Sequence, residues 1–380
     1  MINIPVEPAI TEFLHKKAAV MRIPLSGTFE LTPVCNMDCK MCYIRMSKQQ
    51  QQSIAPLRTA QEWIELAREA KEMGLLFLLL TGGEPFLHPE FKTIFQQLHE
   101  MGFVLMLNTN GTLIDEKTVQ WLKQTPPNRI NITLYGASDE TYARLCGNPH
   151  GFTQATKALR ILRDAGISVR INCSLTPHNA EDAEAIYQFA KDEGFLVQGS
   201  AYMFPPLRRD ESQVGRNDRF SPEEAAYHSA KIISLQNGDQ YFLDLLEKGL
   251  PPIPAETEDC PDVASEGEGI RCRAGKCSFW ITWKGEFMAC GMLPEPNAPN
   301  AFEVGFAKGW QYAKDFVDAI RLPAKCAECN ARDNCKACAA MVYTESGNFH
   351  TVPEYRCTMT KVYPDACLKL KNEILSRHEK

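Results

Sequence analysis

Three cysteines, Cys35, Cys39 and Cys42, fall within the stretch CNMDCKMC. Thiolates separated by three and two residues can wrap one face of an iron–sulfur cubane, and a complete shell for such a cluster, or for tetrahedral zinc, takes four protein ligands. No further cysteine follows until Cys146. The spacing therefore predicts a cluster with one iron left open. A zinc knuckle with a distant fourth ligand is the competing chemistry. His15 is the nearest upstream imidazole, and neither its spacing nor Cys-x3-Cys-x2-Cys fits the finger patterns. A second set, Cys272, Cys277 and Cys290 followed by Cys326, Cys329, Cys335, Cys338 and Cys357, lies near the carboxyl end. Four-thiolate shells there suit zinc sites in a ribbon domain as well as iron–sulfur clusters.

The first three thiols need a scaffold. Short apolar or β-branched runs at 29–35, 76–82, 103–111, 129–136, 168–176 and 195–203 alternate with amphipathic helical patterns near 60–73, 90–101, 115–123, 152–165 and 180–193, and a further helix is predicted near 222–236. Strands alternating with helices predict parallel βα units. Strands covered by helices on both faces read apolar throughout. Here polar residues recur at period two: Glu30 and Thr32; Asn131, Thr133 and Tyr135; Arg170, Asn172 and Ser174; Gln198, Ser200 and Tyr202. One polar face suits the lining of a barrel, with function at the carboxyl ends of its strands. The three opening cysteines lie just past such an end.

At 380 residues the chain exceeds the usual span of one hydrophobic core. The expected division is an N-terminal extension (1–27), a barrel (28–240), a Pro-, Gly- and acid-rich linker (241–270), a cysteine-rich domain (271–364) and a terminal helix (365–380). Apolar residues at 44% and charged residues at 23% exclude a disordered or fibrous chain. A net charge of −6 without a dense basic block argues against nucleic acid as a partner. No apolar run reaches membrane-spanning length, and the amino terminus has no signal-peptide core, so a cytoplasmic protein is expected, with no membrane partner. In that reducing compartment 15 cysteines suggest metal ligation or chemistry before disulfides. Of the four outside the clusters, Cys173 is expected to be a buried apolar thiol. Cys146 and Cys260 are expected to be inert or ligating, with hydrogen return to a substrate radical as the sharper alternative.

Cys35-Asn-Met-Asp-Cys39-Lys-Met-Cys42 resembles the signature of the radical S-adenosylmethionine (radical SAM) superfamily, whose open iron is chelated by S-adenosylmethionine. The resemblance implies an oxidoreductase in which reductive cleavage of that cosubstrate gives a 5′-deoxyadenosyl radical, worked under anaerobic conditions. TGGEP (81–85) is similar to the family's glycine turn, with Gly82, Gly83 and Glu84 toward the methionine ammonium. NTNGT (108–112) resembles its ribose-side segment, with Asn108 or Asn110 facing inward, and RINCSLT (170–176) its fifth strand, where Asn172 and Ser174 meet the nucleoside. Met41 stands where relatives carry an aromatic, with Tyr43 following as an adenine-side residue. Cys146 occupies the place of an arginine that in many relatives pairs with the methionine carboxylate; Arg144 and Arg170 are the substitutes.

The carboxyl-terminal pattern is similar to the SPASM extension, which carries two auxiliary [4Fe–4S] clusters. The resemblance assigns Cys272, Cys277, Cys290 and Cys338 to one and Cys326, Cys329, Cys335 and Cys357 to the other, with Cys260 as the nearest spare ligand. The fold class implied is α/β: a partial (β/α)6 TIM-like barrel followed by a small SPASM domain. The function implied is modification of a peptide or protein, such as a cross-link, thioether or epimerisation in a ribosomally made (RiPP) peptide. The partners implied are that substrate, a separate peptide-recognition protein, and an electron donor such as flavodoxin or ferredoxin. Sulfatase-type maturation and tailoring of a tetrapyrrole are alternatives, and a non-catalytic electron-transfer scaffold is a third. The sequence assigns no catalytic side chain, substrate or oligomeric state.

Overall fold

The structure, a computed structural model, describes residues 9–254 and 269–378. Six parallel strands come first: β1 (Ser26–Glu30), β2 (Phe77–Thr81), β3 (Val104–Thr109), β4 (Arg129–Thr133), β5 (Val169–Ser174) and β6 (Leu196–Ser200). Two later strands, β7 (Ser278–Ile281) and β8 (Phe287–Met288), complete one sheet in the order β6-β5-β4-β3-β2-β1-β7-β8. β7 runs parallel to β1, with Ser26 opposite Ser278 and Phe29 opposite Ile281; β8 turns back antiparallel. The cysteine-rich segment thus begins as the continuation of the barrel sheet. Its aromatics divide by face: Phe279, Ile281 and Trp283 enter the core, whereas Trp280 reaches Glu30.

Alternation along the strands separates two environments. Phe29, Leu78, Leu80, Leu105, Leu107, Ile130, Ile132, Ile171 and Cys173 are buried in the main core, the expected fate of Cys173. The opposite face carries buried polar groups, among them Glu30, Thr32, Asn131 and Arg170. Several are paired across the interior. Asn131 Nδ2 donates to Asn108 Oδ1 at 2.7 Å, and Arg208 and Trp280 both donate to Glu30. Buried polar atoms need such partners, since leaving one unpaired costs about 1–3 kcal/mol.

Helices at 60–72, 91–100, 116–124, 151–164, 183–193 and 222–237 occupy the expected places. One more, Asp139–Cys146, lies between β4 and the helix at 151–164. Its signals are local: the Ser138 side chain accepts from Thr141 N, and Gly147 ends it in the left-handed region. A helix at 239–248 extends into the range read as linker. The final helix, Glu354–His378, starts well before residue 365 and runs through Pro364. Packing against the helix at 222–237, with a Tyr227–Glu373 hydrogen bond of 2.5 Å, accompanies that interruption. Among the described residues no helix is long and apolar enough to cross a membrane.

Candidate functional site

In parallel strands the carboxyl ends share one rim. The loop after β1 holds the three cysteines, closed by a bridge between Val34 and Met46. The TGGEP turn after β2 is laid along its base: Gly83 N donates to Thr32 O at 2.6 Å and Glu84 N to Val34 O at 2.9 Å. A Cβ on Gly82 would stand 2.5 Å from Thr32 O, and one on Gly83 the same distance from the carbonyls of Pro33 and Val34. Glycine is therefore demanded by backbone meeting backbone.

Glu84 is fully buried and accepts from Thr109 Oγ1, Asn110 N and Phe86 N. Burial pushes its carboxyl up to about 7 despite those donors. It ties the ends of β2 and β3. Asn110 then ties β3 to the cysteine loop, its Nδ2 donating to Asn36 Oδ1 at 2.9 Å and approaching Cys35 Sγ at 3.7 Å. Thr112 Oγ1 receives Asn36 Nδ2 at 2.8 Å and donates to Asn110 Oδ1 at 2.7 Å.

All described cysteines are free thiols. Burial pushes Cys35 up to about 12 and raises Cys42 as well. Cys39 is raised first by a hydrogen bond with Cys146 and then by burial. Three such thiols become thiolates when a bound cation compensates the charge. Asn172 Oδ1 is buried with no hydrogen-bond partner, on the polar face of β5. A three-thiol set and an unsatisfied acceptor fit an open cluster with a donor-bearing cosubstrate.

Tyr43 follows Cys42, and Arg208 lies over its ring at 5.5 Å. Arg208 also donates to Glu30 at 2.9 Å and to Gly291 O at 3.0 Å, just after Cys290. Arg209 donates to Cys42 O at 3.3 Å and lines a 280 Å³ cavity with Arg45, Met46 and Gln50. Both cysteine regions are thus touched by one Arg-Arg pair. Neither arginine is given a role by residue spacing or by the resemblance. Asn108 is engaged by Asn131, and Ser174 ends β5 on the rim side. Arg144 is exposed and donates to His178 O, and Arg170 lies one residue into β5, below the rim. His15 stacks on Phe77, the first residue of β2, at the end of the sheet away from the cysteine loop.

In the second set, Cys326 is raised by burial and then by Cys335, Cys357 and Cys329, near enough to act on it electrostatically. Cys277 directly precedes β7 and Cys290 follows β8, placing both at the same end of the hairpin. Cys338 caps the helix at 339–346, close enough to Tyr202 to act on its phenol. Cys260 lies outside the described residues. Thiolates sharing one zinc stand about 3.8 Å apart. Among the described residues no three His, Cys, Asp or Glu side chains converge in that manner. A cubane spreads its thiolates over separate irons.

Residues 29–190 match the radical SAM superfamily model. An AdoMet-dependent heme synthase of Methanosarcina barkeri (strain Fusaro / DSM 804) is 25% identical over 347 residues, 87% of this chain and 95% of that protein. The antilisterial bacteriocin subtilosin biosynthesis protein AlbA of Bacillus subtilis (strain 168) is 27% identical over 274 residues, 72% of this chain and 56% of AlbA. Streptococcus suis SuiB bound to its precursor peptide SuiA shares the fold with a TM-score of 0.66 at 17% identity, covering 91% of this chain and 80% of SuiB. The stretch that carries the three cysteines and the TGGEP turn, residues 29–190, is thus similar to the radical SAM superfamily, a family that implies a [4Fe–4S] cluster and S-adenosylmethionine, and the chain is an enzyme.

Proposed function

We propose that the chain modifies a peptide or protein by radical chemistry and carries three [4Fe–4S] clusters. Cys35, Cys39 and Cys42 hold the first; Cys272, Cys277, Cys290 and Cys338 hold one auxiliary cluster and Cys326, Cys329, Cys335 and Cys357 the other. When bound, the first cluster and S-adenosylmethionine supply a 5′-deoxyadenosyl radical able to take a hydrogen atom from substrate. The chain's own groups position and enclose. Gly82 and Gly83 seat the turn against the cysteine loop, and Glu84 meets the cosubstrate ammonium by exchanging its Thr109 bond. Asn172 Oδ1 accepts from the nucleoside, with Ser174, Asn108 and Asn110 beside it, and Tyr43 lies on the adenine side.

The observation that carries the radical half is the three-thiol loop pinned at the rim of the parallel sheet, with the unsatisfied Asn172 oxygen on the polar face of β5. The peptide half is supported by the AlbA relationship and by a fold shared with a peptide-bound enzyme. A second reading, tetrapyrrole tailoring, is favoured by the heme synthase relative, which aligns over nearly its whole length.

Anaerobic coexpression with candidate precursor peptides, followed by mass spectrometry, separates the two. A peptide losing two hydrogens, or gaining deuterium in deuterium oxide, supports maturation. Unchanged peptides together with turnover of an iron–coproporphyrin by the reconstituted enzyme would overturn it in favour of the second reading. In both cases 5′-deoxyadenosine must form.

A further inference from the structure

Helix Asp139–Cys146 delivers its last residue to the cysteine loop. Asp38 N donates to Cys146 O at 2.8 Å and Lys40 N to Leu145 O at 3.1 Å, so both neighbours of Cys39 are bonded to the final carbonyls of this helix. Gly147, at φ +66°, then turns the chain away, and a Cβ there would contact Asp38 Cβ at 3.5 Å. This two-rung ladder sets residue 146 beside residue 39. The Cys146 thiol is near enough to raise that of Cys39, and Cys146 is 0% exposed. A thiol enclosed in this way lies beside a ligand position.

We propose that Cys146 is a positioning residue for the first cluster, its S–H donating a hydrogen bond to the Cys39 thiolate. The inference rests on reading Cys35, Cys39 and Cys42 as the ligands. An iron-bound thiolate can only accept, so the shared proton belongs to Cys146 in the loaded enzyme. Donation to a ligand sulfur withdraws electron density from the cluster and stabilises its reduced form, which raises the reduction potential. The thiol therefore eases reduction of the centre that must pass its electron to the cosubstrate.

The test compares reconstituted wild type, C146V and C146S by EPR-monitored redox titration, following the signal that S-adenosylmethionine perturbs. Valine keeps apolar bulk and removes the donor; serine restores a donor. The expected result is a downward shift of the midpoint in C146V that C146S largely reverses, with iron content unchanged. Pulsed EPR in deuterium oxide should show, in wild type and C146S, one exchangeable deuteron coupling beyond those of Met37 N–H, Arg45 N–H and Asn110 Nδ2–H at the other two ligand sulfurs, and C146V should lose it. Equal midpoints with the same coupling in C146V would overturn the proposal. If C146V loads no iron, C146A takes its place under the same criteria: a lowered midpoint and one lost coupling support the proposal, and an unchanged midpoint with every coupling kept overturns it. Failure of the cluster assignment itself looks different, because wild type would then show no signal responsive to S-adenosylmethionine.

Discussion

The two cysteine regions are built in opposite ways. The loop at 35–42 is bonded to three other segments: Thr32 and Val34, which flank its base, to the glycine turn, Asn36 to the end of β3, and residues 38 and 40 to the end of the helix at 139–146. Around Cys326–Cys338 the backbone bonds are mostly local, within two four-residue helices and the turns between them. Lys336 adopts φ +49°, Cys329 is exposed, and a visible tie to the rest is Arg356, whose Nε donates to Cys335 O at 2.7 Å. One site is organised by the fold before any metal arrives. The other has few backbone ties to the rest of the fold, and a metal bound there would supply much of its order, because binding free energy at such sites is also folding free energy.

That contrast can be broken by removing ligands. Cys42→Ala should abolish 5′-deoxyadenosine formation and lower loaded iron by about four of about 12 atoms, with the far-UV circular dichroism of the barrel retained. A variant that still cleaves the cosubstrate would end the assignment. Removing metal altogether should increase amide exchange at 324–338 by orders of magnitude and leave 33–46 protected, read by hydrogen-exchange mass spectrometry. Equal exposure of both segments would show that the first loop is no better organised than the second.

Two substitutions sharpen the account of the first loop. Gly83→Ala places a Cβ 2.5 Å from two backbone carbonyls, and should cost about 1–3 kcal/mol in a denaturation series, together with a weakened affinity for S-adenosylmethionine. Asn110→Ala removes the link to Asn36 and leaves that partner short of a donor, with a smaller loss of about 1 kcal/mol.

The smallest effect concerns the seam between barrel and carboxyl-terminal helix. His228 stacks on Phe220, and burial first, then Lys231 and Lys369, lowers it to about 4, with Glu224 opposing. The unfolded state then binds more protons between about pH 6.5 and pH 4. Stability present above pH 6.5 is lost as the pH falls through that window. His228→Phe should flatten this part of the stability profile, measured by urea titration at several pH values; an unchanged slope would show that His228 does not contribute to it.

Most of the fold was legible because its strands alternate polar and apolar residues and its helices carry strong stripes. The helix at 139–146 was not read, since its eight residues make a short pattern and its cap, Ser138, stands only two residues past the run read as strand at 129–136. The edge pairing of β7 with β1 joins residues some 250 positions apart, a relation that no local periodicity encodes. Within the site, cysteine spacing and the glycine turn were visible from residue type alone. The buried Glu30–Arg208 bridge and the Cys39–Cys146 contact were not, because both depend on which loops meet at the rim.

The pairing of β7 with β1 has a consequence for biosynthesis. Until residue 281 has left the ribosome, β1 keeps one bare edge, with the donors and acceptors of Ser26–Phe29 open to foreign strands. A truncation placed before Ser278 would leave the nascent barrel in that sticky state permanently.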